Sequence, residues 1–167
     1  MILERRKTKD LSRLALARFA NKAQRAAGLS GEVNILLTGD SEVQRLNLQF
    51  RRQDKPTDVL SFPTADSAEG GDIAISLQTA RAQAADIGHD LLTEVKILIL
   101  HGMLHLAGHD HETDRGQMRK FEQKLRAEFH LPSGLIERAA ERSTPEPATA
   151  GPSVGPYPTR TPGRRRP

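Results

Sequence analysis

Four histidines fall within one short stretch, His101-Gly-Met-Leu-His105-Leu-Ala-Gly-His109-Asp-His111. His101 and His105 are four residues apart, so on a helix they project from the same face about one turn apart. Two imidazoles so placed can both reach one metal ion, ~2.0–2.1 Å from each nitrogen. Gly108 can adopt the left-handed conformation that ends a helix, which lets the chain turn back and deliver His111 as a third ligand. Three neutral imidazoles leave the fourth tetrahedral position to water, the pattern of a catalytic rather than a structural zinc site. Water there is acidified toward neutral pH, and the ion can polarise a phosphoryl or carbonyl oxygen. The chain has no cysteine, which excludes disulfides, thiolate zinc fingers, iron–sulfur clusters and a cysteine nucleophile. Any metal must therefore sit on His, Asp or Glu. His109 and Asp110 keep two readings, a group that orients a ligand or plain exposed loop.

The spacing of His101, His105, Gly108 and His111 matches that of metzincin proteases, whose helix carries a glutamate directly after the first histidine as general base. Gly102 stands at that place. Peptide hydrolysis would need its base from elsewhere in the chain.

The elements that must position these residues follow from periodicity and punctuation. Asp10 or Ser12 can cap a helix running to about Ala27, with Leu11, Leu14, Ala15, Phe19 and Ala23 on one face and Gly28 as terminator. Glu32 to Leu37 reads as a strand. Asp40 or Ser41 caps a short helix through Phe50, with Val43, Leu46 and Phe50 inward. A strand from Asp58 to Phe62 stops at Pro63, and another from Asp72 to Ser76 follows the Gly70-Gly71 turn. Ser76 begins a helix that ends near Gly88. The helix expected from Thr93 to about Leu106 is apolar nearly all round, as a buried central helix is. A last helix, about Glu112 to Phe129, turns Met118, Phe121, Leu125 and Phe129 inward, and Pro132 marks its end. The expectation is an α+β domain: a small mixed sheet packed against helices, with the Thr93 to Leu106 helix central and the metal at its C-terminal end.

At 167 residues the chain is long enough for one domain with a substantial core. Its 25 Lys+Arg against 21 Asp+Glu leave a net charge of +4, unevenly spread. Residues 1–28 carry 8 basic and 2 acidic residues, 29–142 carry 13 and 18, and 143–167 carry 4 and 1, so two basic ends flank an acidic middle. Ser143 to Pro167 holds seven of the ten prolines and ends in Arg164, Arg165 and Arg166. Such a segment cannot bury enough surface to offset its ordering entropy, so the expected folded body is 1–142 and the expected disordered tail is 143–167. The longest apolar run, Val95 to Leu100, is interrupted by Lys96 and falls short of the roughly 20 residues that span a bilayer. MILERRKTKD has no apolar core of a secretory signal, so the expected compartment is the cytoplasm.

The histidine stretch and an earlier block together resemble a known family. HGMLHLAGHDH is similar to the signature of the YbeY family, bacterial metal-dependent endoribonucleases of ribosomal RNA maturation. The residues from Leu46-Asn47 to Arg51, followed by Asp54-Lys55-Pro56-Thr57-Asp58-Val59-Leu60-Ser61-Phe62-Pro63, resemble the family's second signature. Gly71-Asp72-Ile73 resembles its following strand, and Glu94 stands where the family usually has an acidic residue seven before the first histidine. The resemblance covers about residues 30–130. It implies one zinc ion on His101, His105 and His111, a functionally important arginine at Arg51, and single-strand-specific cleavage of precursor ribosomal RNA at the 16S 3′ end. It also implies a role in ribosome quality control, with RNA and the small ribosomal subunit as partners and no membrane.

Physically, a guanidinium beside the metal can grip a phosphate at two points and stabilise charge developing during phosphodiester cleavage. The plainer reading of Arg51 is a cation favourably placed at a helix C-terminus. Thr57, Asp58 and Ser61 either line the cleft or serve the start and edge of a strand. Glu94 and Asp110 are the candidates for general base, and no sequence feature chooses between them. Two rival functions are a non-catalytic ribosome-associated zinc protein and a metal-dependent hydrolase of peptides. The sequence departs from the family at its short N-terminus, which leaves little room for the usual opening strand, and in the brief loop from Thr64 to Gly70.

Overall fold

Alternating apolar residues build a four-stranded sheet from β1 (Ile2–Glu4), β2 (Val33–Thr38), β3 (Val59–Pro63) and β4 (Gly71–Ser76), in the order β1-β2-β4-β3. The computed structural model describes residues 1–4, 10–64, 69–110 and 114–132. β1, β2 and β4 are parallel, while β3 runs antiparallel to β4 along the sheet edge, so the sheet is mixed as expected. The short N-terminus does supply an opening strand, three residues that pair with Ile35, Leu36 and Leu37 of β2. The boundary between a body over 1–142 and a tail over 143–167 lies outside the described residues.

Side chains of a strand point alternately to the two faces. Ile35, Leu37, Ile73 and Ile75 enter the main core on the inner face; Leu36, Leu60, Phe62 and Ala74 form a smaller cluster with Val43 on the outer face. Among the described residues five helices pack around the sheet: α1 (Arg13–Ala26), α2 (Asp40–Arg51), α3 (Leu77–Ile87), α4 (Leu91–Leu106) and α5 (Gln117–Glu128). Ser12 caps α1 and Ser76 caps α3, each accepting from the amide three residues on. α4 starts before Thr93 because Asp90 accepts from the Thr93 amide at 2.8 Å and takes the cap position. α5 starts at Gln117 rather than Glu112: Gly116 turns left-handed at φ 85, and the Asp114 carboxylate accepts from the amides of Gly116, Gln117 and Met118.

α4 is the centre of the domain, touched by α1, α3, α5, β3 and β4. Val95, Ile97, Leu98, Ile99, Leu100, Met103, Leu104 and Leu106 have no solvent exposure. Full burial of side chains of this size contributes roughly 1.5–3 kcal/mol each before entropy is counted. On the outer face α2 is the covering helix, and it covers less than the period suggests. Its buried stripe runs through Val43 and Asn47, with Asn47 Nδ2 donating to Lys55 O at 2.9 Å. Phe50 is therefore not inward: at the margin of that stripe it is 59% exposed, its ring edge-on to Phe62 with centroids 5.1 Å apart.

Asp40 ties α2 to α3, accepting from the Ser76 hydroxyl and from Thr79 Oγ1 at 2.7 Å. The Ser76 hydrogen bond is the chief reason its carboxyl sits below the ordinary 3.8; Thr79 acts in the same sense, and burial opposes both. A depressed carboxyl stabilises the fold above its unfolded pKa, and that contribution is lost as pH falls through the folded value. Asp40→Asn should cost about 1 kcal/mol at pH 7 by denaturant titration. The gap from wild type should narrow below about pH 4; a gap independent of pH would contradict this account.

Candidate active site

One face of α4 carries the two helical histidines. His101 Nε2 and His105 Nε2 lie 3.1 Å apart, with the rings inclined at 76°. Gly108 ends the helix at φ 85, with Gly108 N donating to His105 O and His109 N to Leu104 O, both at 3.0 Å. The turn expected of that glycine is thus formed. The third expected ligand, His111, lies outside the described residues. Among the described residues, no group of three His, Cys, Asp or Glu is arranged to hold a metal. The His109 ring packs against Phe121, centroids 5.3 Å apart, and the Asp110 carbonyl accepts from Asp114 N at 2.9 Å.

A buried relay stands behind His101. Its Nδ1 donates to Glu122 Oε2 at 3.1 Å, Arg126 Nη1 donates to Glu122 Oε1 at 2.9 Å, and Arg126 Nε donates to Pro132 O at 2.6 Å. Glu122 is 1% exposed and Arg126 2%. Burial pushes the Glu122 carboxyl up, but the hydrogen bond from His101 and the adjacent Arg126 guanidinium outweigh it and hold the carboxyl below its ordinary value. With the Nδ1 proton committed to Glu122, His101 Nε2 presents a lone pair toward His105. Two imidazole nitrogens at this distance need a proton or a cation between them. Two ligand nitrogens of one tetrahedral zinc lie roughly 3.3 Å apart, so the pair and its carboxylate support fit that ion.

Glu122 and Arg126 escaped the reading of the sequence. The signal was present: an acid–base pair at i, i+4 occupies the same stripe as Met118 and Leu125, where solvated charges do not belong.

Gly102 explains why no glutamate follows the first histidine. A Cβ there would lie 3.0 Å from Ile73 Cδ1 and 3.2 Å from Ser61 Oγ, so this face of α4 is pressed onto the sheet. Ser61 is buried and its hydroxyl donates to Gly102 O at 3.3 Å, which makes it a tie between β3 and α4. Asp58 serves the start of β3, accepting from Val59 N at 2.7 Å, Thr57 Oγ1 at 3.2 Å and Gln83 Nε2 at 2.9 Å. Glu94 is fully buried against His89 Nε2 at 2.5 Å. It sits two turns, about 10 Å, along the helix from His101, too far to act as general base at the imidazole pair.

Arg51 occupies the exposed last turn of α2. Arg52 closes that helix in the left-handed region at φ 57, its N–H donating to Leu48 O at 3.1 Å. A non-glycine residue there is strained, and such strain gathers at functional sites. Arg51 lines a cavity of about 1200 Å³ on the outer face of the sheet, together with Leu36, Phe50, Phe62, Asp72 and Ala74. α4 packs on the inner face of β3 and β4, so the edge strand β3 stands between this cavity and the helix that carries the histidines.

The family described as Endoribonuclease YbeY matches residues 2–130. A Koribacter versatilis protein named Endoribonuclease YbeY is 50% identical over 141 residues, covering 84% of this chain and 93% of its own. One of the same name from Solibacter usitatus is 51% identical over 134 residues, covering 80% and 90%. The solution structure of a Thermotoga maritima protein is similar at a TM-score of 0.52 and 26% identity, covering 89% of this chain and 99% of that one.

Two substitutions probe the supports of the site. Glu122→Ala strands two buried partners and should cost about 3–5 kcal/mol in urea unfolding; Glu122→Gln should cost less, and equal costs would show that charge is irrelevant there. Gly102→Ala forces the fully buried Ile73 aside and should destabilise by about 1–3 kcal/mol. The double variant Gly102→Ala, Ile73→Val removes the nearest methyl and should recover part of that loss; no recovery would place the strain elsewhere.

Proposed function

Since the chain belongs to the endoribonuclease YbeY family, we propose that it is a zinc-dependent, single-strand-specific endoribonuclease acting in the cytoplasm. Its substrate on this reading is precursor ribosomal RNA of the small subunit, cut at the 16S 3′ end, and it also serves ribosome quality control. The observation that carries the reading is the convergence of His101 Nε2 and His105 Nε2 at 3.1 Å with a buried carboxylate holding His101 from behind.

His101, His105 and His111 are the residues that would hold the ion. When bound, zinc supplies a Lewis acid for a phosphoryl oxygen and acidifies a water toward neutral pH. The protein's own contribution is orientation. Arg126 fixes Glu122, and Glu122 fixes the tautomer and ring plane of His101, so the ligand is aimed before substrate arrives. Arg51 binds phosphate at two points. β3 is the sheet edge, so a single RNA strand can pass around it, with one phosphate on Arg51 and the next part of its backbone turned toward the imidazoles. A duplex cannot make so tight a turn. The segment that contains the site, 29–142, is itself net acidic, with 13 basic against 18 acidic residues. Phosphate recognition therefore rests on individually placed cations rather than on bulk charge.

The test is incubation of precursor ribosomal RNA with purified protein, with and without chelator, beside metal analysis of each variant. Wild type should carry one zinc and cleave; His105→Ala should lose both. Arg51→Ala should keep the metal and lose roughly 10²–10³-fold in rate, as removal of one charge-stabilising group does. Arg51→Lys should recover only part of it. Cleavage that survives chelation and both alanine substitutions overturns the mechanism.

A further inference from the structure

We propose that the cavity wall beside Arg51 is a base-reading subsite that takes one unpaired guanine, stacked on Phe50 and read by Asp72; this rests on the RNA-cleaving reading above. The starting observation is the exposure of Phe50. A phenylalanine expected inward by helical period is instead 59% exposed and lines the cavity. It does not swing freely, because Phe62 contacts it edge-on at 5.1 Å and an interplanar angle of 61°. An aromatic ring fixed at its edge and open over a cavity is a stacking platform for a base.

The sheet places a polar reader next to it. Phe62 pairs with Asp72 and Asp72 with Asn34, so the three stand in one cross-strand row on the outer face, and all three line the cavity with Phe50 and Arg51. Asn34 Nδ2 donates to Asp72 Oδ1 at 3.2 Å, which holds the carboxylate in place. A carboxylate only accepts hydrogen bonds. It therefore selects a base edge that offers neighbouring N–H donors. Guanine presents N1–H and N2–H side by side, matching two carboxylate oxygens, whereas adenine and cytosine offer one amino group on that edge and uracil one imide N–H. Leu36 and Ala74 give the floor an apolar surface, and the small Ala74 leaves it depth. Arg51, adjacent in sequence to Phe50, supplies the cation for the phosphate of the same nucleotide.

The chain contains no tryptophan, so Phe50→Trp is a single-site fluorescent reporter. Titration with guanosine 5′-monophosphate should quench it saturably, roughly tenfold tighter than the adenosine, cytidine or uridine monophosphates, a spread within the range of one base contact. Adding Asp72→Asn should erase the guanine preference while leaving stacking. In cleavage of short single-stranded RNAs that differ at one base, Phe50→Ala should raise KM roughly tenfold with kcat retained, and Phe50→Tyr should behave as wild type. Equal quenching by all four nucleotides, or none, overturns the subsite. So does an unchanged KM and base preference in Phe50→Ala while wild type cleaves, and that result leaves the nuclease reading standing. Guanine-selective quenching without any RNA cleavage by wild type supports the subsite and fails the nuclease.

Discussion

α4 has almost no polar side that could face water, and the domain is organised to cover it. The inner face of the sheet lies on one side of it and α1, α3 and α5 on the others. A helix so enclosed gives its side chains a fixed environment, and any polar group it carries must find a partner inside the protein. His101 is such a group. The partner is Glu122, which in turn requires Arg126, so one imidazole on an apolar helix draws a buried ion pair onto the neighbouring helix. Replacing a pair like this with apolar residues is often neutral or stabilising. Its presence is better explained by the orientation it imposes on His101 than by the stability it contributes.

The same enclosure accounts for the glycine after His101. α4 approaches β3 and β4 closely enough that a Cβ at 102 would press on Ile73 and Ser61. That close approach brings the C-terminal half of α4 onto the last strand of the sheet and leaves the imidazoles on the helix face turned toward α5. Because β3 is an edge strand, the cavity that Arg51 lines on the other face is only one strand away. Arg51 and the imidazoles thus stand on opposite faces of the sheet, each near the C-terminal end of its own helix. The two faces differ in cover. Among the described residues α1, α3 and α4 pack on the inner face, whereas α2 covers part of the outer one beside the cavity.

Much of this could be read from the chain. The caps at Ser12 and Ser76, the strand after Gly70-Gly71, the buried centre at α4 and the turn at Gly108 all depend on local chemistry: a short hydroxyl side chain beside exposed amides, glycine at positive φ, an unbroken apolar run. Boundaries moved where a polar group captured backbone amides that periodicity does not register, Asp90 before α4 and Asp114 before α5. The roles of Asp58, Ser61 and Glu94 were open because each is a polar residue of a kind that suits either a cleft or a structural tie. Their long-range partners, Gln83 and Gly102 for the first two and the buried surroundings for the third, decide for the tie.

By itself, the sequence determined the family and limited which side chains could hold any metal. With no cysteine present, a metal had to fall to histidine and carboxylate, and histidines four apart on a helix share a face whatever surrounds them. Tertiary structure alone decided which charges stand behind His101, why a side chain after it would be crowded, and that Phe50 faces a cavity instead of the core. Helical and strand periods are set by bonds between near neighbours, whereas burial depends on what arrives from distant parts of the chain. The partners of Glu122, Gly102 and Phe50 come from another helix or strand, so no local pattern could name them.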